Sequence, residues 1–304
     1  TVKDRVKGDV VFNWSEIDDF IIARADGTPT YNLVVAIDDA LMGVTEVIRG
    51  DDHLSNTPKQ IVVYNALDLK IPNFAHVPMI LNEKGKKLSK RDGAMDVMDY
   101  KTNGYLPQAL LNFLIRLGWS HGDQEIFSMD EMLTLFDADN INKSASAYNL
   151  DKLAWLNAHY IKTMAHDALA ALLVEYGVDV REHAKRDILL NLCKERAKTM
   201  IELKEAVVDV ITQPSSFSEK DCKKAIKEDT IEILEKFVIA MQKSSAVTPD
   251  EHQDLINTFL ENEELKMPML GKPLRLAIFG VAMGPNIADV LAILGSNEIS
   301  ERII

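Results

Sequence analysis

The order of apolar and polar positions changes character near residue 100. Before it, short apolar runs bounded by turn formers alternate with helical faces. Residues 8–12 and 20–24 read as strands, the second followed by the turn Asp26-Gly27-Thr28-Pro29. From 30 to 42, Tyr31, Val34, Val35, Ile37 and Leu41 fit one buried helical face, with Thr30 at its start. The β-branched run 44–49 predicts a strand ending in Arg49-Gly50-Asp51-Asp52-His53. Ser55-Asn56-Thr57-Pro58 opens a helix to about residue 67, with Pro in its first turn. Residues 74–81 form another apolar strand.

Strand, helix, strand, helix, strand is the pattern of a parallel sheet with crossover helices. In such sheets ligands sit beyond the carboxyl ends of the strands. Arg49, Asp52 and His53 fall at one strand end, and Lys84-Gly85-Lys86-Lys87-Leu88-Ser89-Lys90-Arg91 follows another.

After this point the pattern is helical. Helices are expected over 107–118, 129–136 and 150–161, then 166–176, 184–211, 218–226, 229–243, 249–260 and 286–294. Residues 213–216 and 267–273 read as loops, because each carries proline. No internal repeat or low-complexity tract is visible.

Composition narrows the picture. A chain of 304 residues, 47% hydrophobic and 27% charged, is long enough for two or three globular domains. No apolar run is long enough for a membrane span. The opening Thr-Val-Lys-Asp-Arg has neither a signal-peptide core nor an initiator Met, so a piece of something longer is expected. Cys193 and Cys222 are too few for a disulfide framework or a four-Cys zinc site, which fits a reducing cytosol.

A net charge of -13 argues against indiscriminate coating of nucleic acid, but not against a local basic strip. The loop from Lys84 to Arg91 carries five cations. Such a loop suits the negative charge that spreads over phosphate oxygens in nucleotidyl transfer. By charge alone the solvated surface turn is the reading to prefer, since lysine runs are usually surface features.

Several segments together resemble the bacterial glutamyl-tRNA synthetases, class I aminoacyl-tRNA synthetases. They are Asp26-Gly27-Thr28-Pro29-Thr30-Tyr31-Asn32, Val44 through Gln60, Lys87-Leu88-Ser89-Lys90-Arg91, Gly104-Tyr105-Leu106-Pro107, Leu117 through Asp123, and Lys143-Ser144-Ala145-Ser146. They occur in family order within residues 1–160, and Lys87–Arg91 corresponds to the family's KMSKS loop. The family's upstream His-x-Gly-His signature is absent, since none of the seven histidines begins one. The chain therefore resembles the C-terminal two-thirds of a synthetase.

The resemblance implies an α/β partial nucleotide-binding (Rossmann-like) domain over 1–95. All-α stem-contact (96–161) and anticodon-binding (162–304) domains follow it. It implies ATP-dependent ligation of L-glutamate to tRNA-Glu through a glutamyl-adenylate, with ATP and Mg²⁺. A cytoplasmic monomer is expected, with no membrane partner. The alternative is a catalytically inactive tRNA-binding fragment. Glutaminyl enzymes, with β-barrels for the anticodon, and queuosine-modifying relatives, with no anticodon domain, fit the helical remainder poorly.

Residue by residue, Lys87, Ser89 and Lys90 carry the catalytic role by resemblance, with Lys90 on the ATP phosphates. Leu88, Asp52 and His53 become ATP-side contacts, and Tyr31 an amino-acid contact. Arg49, at a strand end, suits a carboxylate, because its guanidinium fork can meet two oxygens. It could instead pair structurally with Asp51 or Asp52, and His53 could be a cap. Asn112, Arg116 and Trp119 could face the tRNA stem, although core packing explains Trp119 as well. Arg196 and Lys198, with Lys272 and Arg275, are carried over as tRNA contacts. Glu195 pairing with a lysine is the plain alternative for the first cluster. No protein metal site is expected.

Overall fold

Parallel pairing of two five-residue strands sets the frame of the first part of the chain. In this computed structural model, which describes residues 1–82, 84–88 and 96–303, β3 (Glu46–Gly50) runs parallel to β4 (Asn73–Val77), with Arg49 opposite His76. β1 (Val2–Asp4) lies parallel to β4 on its other side, with Asp4 opposite Phe74, and pairs antiparallel with β2 (Gly8–Val10). The order is β2-β1-β4-β3. Helix α1 (Tyr31–Leu41) precedes β3, and α2 (Thr57–Ala66) makes the crossover from β3 to β4. Ala36, Val63, Tyr64 and Phe74 close the core between sheet and helices.

Two strand expectations change. Residues 20–24 form no strand; only an isolated bridge joins Ala23 to Pro29. The turn closes on itself, with Arg24 N donating to Thr28 O and Thr30 N to Ile22 O, and Ile21 and Ile22 stay exposed. The run 74–81 is also divided. β4 stops at Val77, and past Pro78, which has no N–H to donate, β5 (Ile80–Leu81) pairs with β6 (Ser146–Ala147).

The chain divides into two units, Thr1–Val97 with Pro107–Leu156, and Met98–Leu106 with Asn157–Ile304. The first also holds α4 (Pro107–Gly118) and α5 (Met129–Leu135). A Ser128–Glu131 capping box starts α5, satisfying two free N–H groups at once. Trp119 is core here, packed with Phe127 and Met132. Asn112 is buried as well, its amide donating to Glu125 O and its carbonyl accepting from Phe127 N.

The second unit is helical. The long helix expected over 184–211 is two, α8 (Arg186–Lys194) and α9 (Met200–Ile211). Thr199 separates them in extended backbone, its hydroxyl capping α9 by accepting from Glu202 N. The expected loop at 267–273 is instead the start of a helix, Met267–Phe279. Pro268 sits in its first turn, where no N–H bond is lost, and Pro273 is accommodated inside it. Leu270, Leu274 and Ile278, four residues apart, bury one face of that helix, and Gly280 ends it at φ 72°. They join Phe237, Ile256, Phe259, Leu291 and Ile299 in one core. Among the described residues no helix is long and apolar enough to cross a membrane.

Candidate functional site

The register of the first sheet puts three polar side chains on one face in a row. Asp4 on β1, His76 on β4 and Arg49 on β3 span three adjacent strands. His76 and the Asp4 carboxylate are fully buried. Asp4 accepts from Val6 N, Lys7 N and His76 N at 2.8 to 3.1 Å, and its Oδ2 lies 2.6 Å from His76 Nδ1. Burial pushes this carboxyl up, but the hydrogen bonds from Lys7, His76 and Val6 outweigh it and hold the group below the usual value.

Beyond His76 stands Arg49. Its Nε donates to His76 Nε2 at 3.0 Å, and Nη2 donates to Thr57 Oγ1 and Gln60 Oε1, both at 2.8 Å. Nη2 also reaches His53 O at 3.5 Å, and the guanidinium lies over the Phe74 ring at 5.6 Å. Arg49 therefore pairs with neither Asp51 nor Asp52. The Nε/Nη2 edge of its fork is held by protein, so Nη1 is the nitrogen with no protein acceptor among the described residues.

The acidic turn after β3 is a short 3-10 segment, Asp51–Asn56. Asp51 is tied down by Lys7 at 2.8 Å, whose ammonium also donates to Lys143 O. Asp52 instead reaches Lys87 of the basic loop, Nζ to Oδ2 3.1 Å, and that hydrogen bond holds its carboxyl below the usual range. Gly50 makes this possible, because a Cβ there would stand 2.6 Å from Asp52 Oδ1. His53 Nδ1 lies 3.3 Å from both Tyr31 Oη and Asn56 Nδ2, with the Tyr31 and His53 rings 5.7 Å apart. Tyr31 at the start of α1 is half exposed, so it is a wall of the same rim and not core.

The entry to the basic loop is a tight turn built on Asn82. Its Oδ1 accepts from Lys84 N and Lys86 N, its N donates to Lys86 O, and Gly85 takes φ 72°. Leu88 N donates to Ile80 O, and an isolated antiparallel bridge joins Leu81 to Lys87. Ser89 and Lys90 lie outside the described residues. The structure thus gathers Tyr31, Arg49, Asp52, His53 and Lys87 on one rim. Asp4 and His76, which complete it from beneath, were not singled out from sequence; a histidine inside the apolar run Phe74-Ala75-His76-Val77 was the available signal.

In the second unit, Arg196 follows α8, is exposed, and lines a cavity of about 230 Å³ with Cys193, Asp209, Phe279, Met283 and Pro285. Arg275 donates to Pro285 O at 3.2 Å and Gly271 O at 3.3 Å; burial and then the nearby Arg196 charge pull its pKa down. These two arginines therefore belong together. Lys272 is exposed and lines a different, smaller cavity with Lys224 and Lys227. Lys198 is exposed, and its backbone N donates to Glu202.

Comparisons with known proteins agree with this division. The family model described as tRNA synthetases class I (E and Q), catalytic domain, matches residues 1–155, and the anticodon binding domain matches 137–304. The chain is 58% identical over 301 residues to glutamate–tRNA ligase 2 of Nitratiruptor sp. and 56% identical over 302 residues to glutamate–tRNA ligase 1 of Aliarcobacter butzleri. It belongs to the class I glutamyl-tRNA synthetase family. A crystal structure of a glutamate tRNA ligase from Elizabethkingia meningosepticum in complex with its amino acid superposes with a TM-score of 0.87 at 31% identity, covering 99% of this chain and 64% of that one. The chain spans about two thirds of the length of these family members, 65% and 64% of the two ligases.

Among the described residues no group of three or more His, Cys, Asp or Glu side chains could hold a metal ion.

Proposed function

We propose that this chain carries the glutamate- and ATP-facing rim and the tRNA-reading helices of a glutamate–tRNA ligase. The reaction has two steps. A glutamate carboxylate oxygen attacks the α-phosphorus of ATP, the bond to the pyrophosphate oxygen breaks, and glutamyl-adenylate forms. A hydroxyl of the terminal tRNA ribose then attacks the glutamyl carbonyl, and AMP leaves. The protein's part is to hold the reactants in line and to offset charge growing on phosphate.

The observation that carries this reading is Arg49, held at the carboxyl end of β3 through Nε and Nη2, on the strand that leads into the turn where Asp52 meets Lys87. Arg49 and Tyr31 take the amino acid. Asp52, His53 and Leu88 line the ATP side. Lys87, Ser89 and Lys90 are the phosphate clamp, with Lys90 its main cation. Residues 96–161 face the acceptor stem and 162–304 the anticodon, where Arg196 with Arg275 meets an unpaired base and Lys198 and Lys272 meet phosphate. The enzyme works as a cytoplasmic monomer, with tRNA-Glu as its partner.

The chain's span of about 65% of its relatives favours a second reading, a tRNA-binding piece without turnover on its own. Pyrophosphate exchange with glutamate, ATP and tRNA separates the two. No exchange by the 304 residues, with exchange once the relatives' full length is restored, is the expected result. Turnover by the chain alone sinks the second reading. Absence of glutamate-dependent exchange at full length overturns the first.

A further inference from the structure

We propose that Asp4 and His76 are positioning residues for Arg49, fixing which of its nitrogens meets the substrate carboxylate. The functional half of this inference rests on the glutamate reading of Arg49; the positioning half does not.

The chemistry of the donors decides the direction of the chain of bonds. A guanidinium has no acceptor, so the 3.0 Å contact between Arg49 Nε and His76 Nε2 requires Nε2 to present its lone pair. The ring proton then sits on Nδ1, where it meets Asp4 Oδ2 at 2.6 Å. Asp4 is itself fixed by three backbone N–H groups, from Val6, Lys7 and His76. The histidine is thus locked both in tautomer and in plane, an arrangement in which a carboxylate orients a histidine that orients the working group. Phe74, stacked on His76 at 6.1 Å and 16°, closes the remaining side.

The consequence is a constraint on Arg49. An arginine with its Nε free could present the Nε/Nη2 edge and grip both carboxylate oxygens in parallel. Here His76 takes Nε, and Thr57 and Gln60 take Nη2. Neither Asp4 nor His76 touches the rim, since both side chains are fully buried. Their effect on substrate passes through Arg49, held by His76 directly and through the buried Thr57 Oγ1, which lies 3.1 Å from His76 Nε2 and accepts from Arg49 Nη2.

Two experiments test this. Long-range ¹H–¹⁵N correlation on the intact 304-residue chain should show His76 protonated on Nδ1 only, and Asp4→Asn should mix the tautomers. A wild-type ring protonated on Nε2 overturns the inference without any variant having to fold. In the enzyme at its relatives' full length, His76→Phe should raise KM for glutamate on the order of 10-fold, the worth of one hydrogen bond to a charged group. KM for ATP and kcat should stay within about twofold, and His76→Gln, which restores an acceptor for Arg49 Nε, should recover part of the loss. Equal rises in both KM values, or no rescue by Gln, overturn the positioning role. If Arg49→Gln leaves glutamate use untouched while the Nδ1 tautomer is observed, the glutamate reading has failed and the positioning has not.

Discussion

Lys87 Nζ lies 3.1 Å from Asp52 Oδ2, so the basic loop is linked to the turn after β3 by an ion pair across 35 residues. Both partners are substantially exposed, and the pair contributes little to stability. Its value is positional: it holds the loop cation over the rim. Gly50→Ala should break it, because the new Cβ would stand 2.6 Å from Asp52 Oδ1. In the enzyme at its relatives' full length, the expected result in pyrophosphate exchange is a KM for ATP raised about tenfold, one lost charge-assisted contact, with KM for glutamate little changed. A thermal scan should show a melting point near that of the parent.

Asn157 does a different job in the helical unit. It is fully buried, accepts from Leu106 N at 2.7 Å, and donates to Gly104 O and Lys198 O. Asn157→Ala leaves Leu106 N and Lys198 O without this partner, while Gly104 O keeps Met200 N, and should cost about 1–3 kcal/mol in urea unfolding. Gly104→Ala should fail in the same assay, since its φ is 81° and a Cβ would sit 2.7 Å from Ile201 N.

Cys193 and Cys222 should separate cleanly under alkylation. Burial, with a smaller push from Asp209, drives the Cys193 thiol up to about 12, so almost no thiolate exists at neutral pH. Cys222 is partly exposed. Iodoacetamide at pH 8 should label Cys222 in the native chain and reach Cys193 only after denaturation, read by peptide mass.

Much of the first unit was legible because its signals are local. Pro58 and Thr57 mark the start of α2, and the positive-φ turn at Gly85 follows from residue chemistry alone. What was not legible depends on partners distant in sequence. Residues 20–24 have a strand's composition but no neighbour to pair with, so they remain a bridged turn. The helix at Met267–Phe279 was hidden by Pro268 and Pro273. Its Leu270-Leu274-Ile278 spacing outweighs them because that face completes a core whose other buried residues come from three helices. Arg49 could be named from its strand end. Its use of Nε and Nη2 on His76, Thr57 and Gln60 could not, since Asp4 and His76 are 72 residues apart and meet only through the register of β1, β4 and β3.

The same relay predicts a pH dependence of stability. The folded Asp4 carboxyl titrates below its ordinary value of 3.8, so its ionised form is favoured by folding. That contribution is present above 3.8 and is lost as pH falls through the lower folded value. Asp4→Asn should therefore destabilise by about 1–3 kcal/mol at pH 7. The gap from wild type should shrink steadily below pH 3.8, as denaturant midpoints measured at several pH values would show.

The central claim is that Arg49 reads a glutamate carboxylate at the end of β3. Steady-state pyrophosphate exchange with Arg49→Gln, in the enzyme at its relatives' full length, tests it most directly. Loss of one charge-assisted contact predicts kcat/KM for glutamate lower by roughly 10- to 100-fold, with KM for ATP within about twofold. Glutamate kinetics unchanged in that variant, or an equal loss toward ATP, would contradict the account.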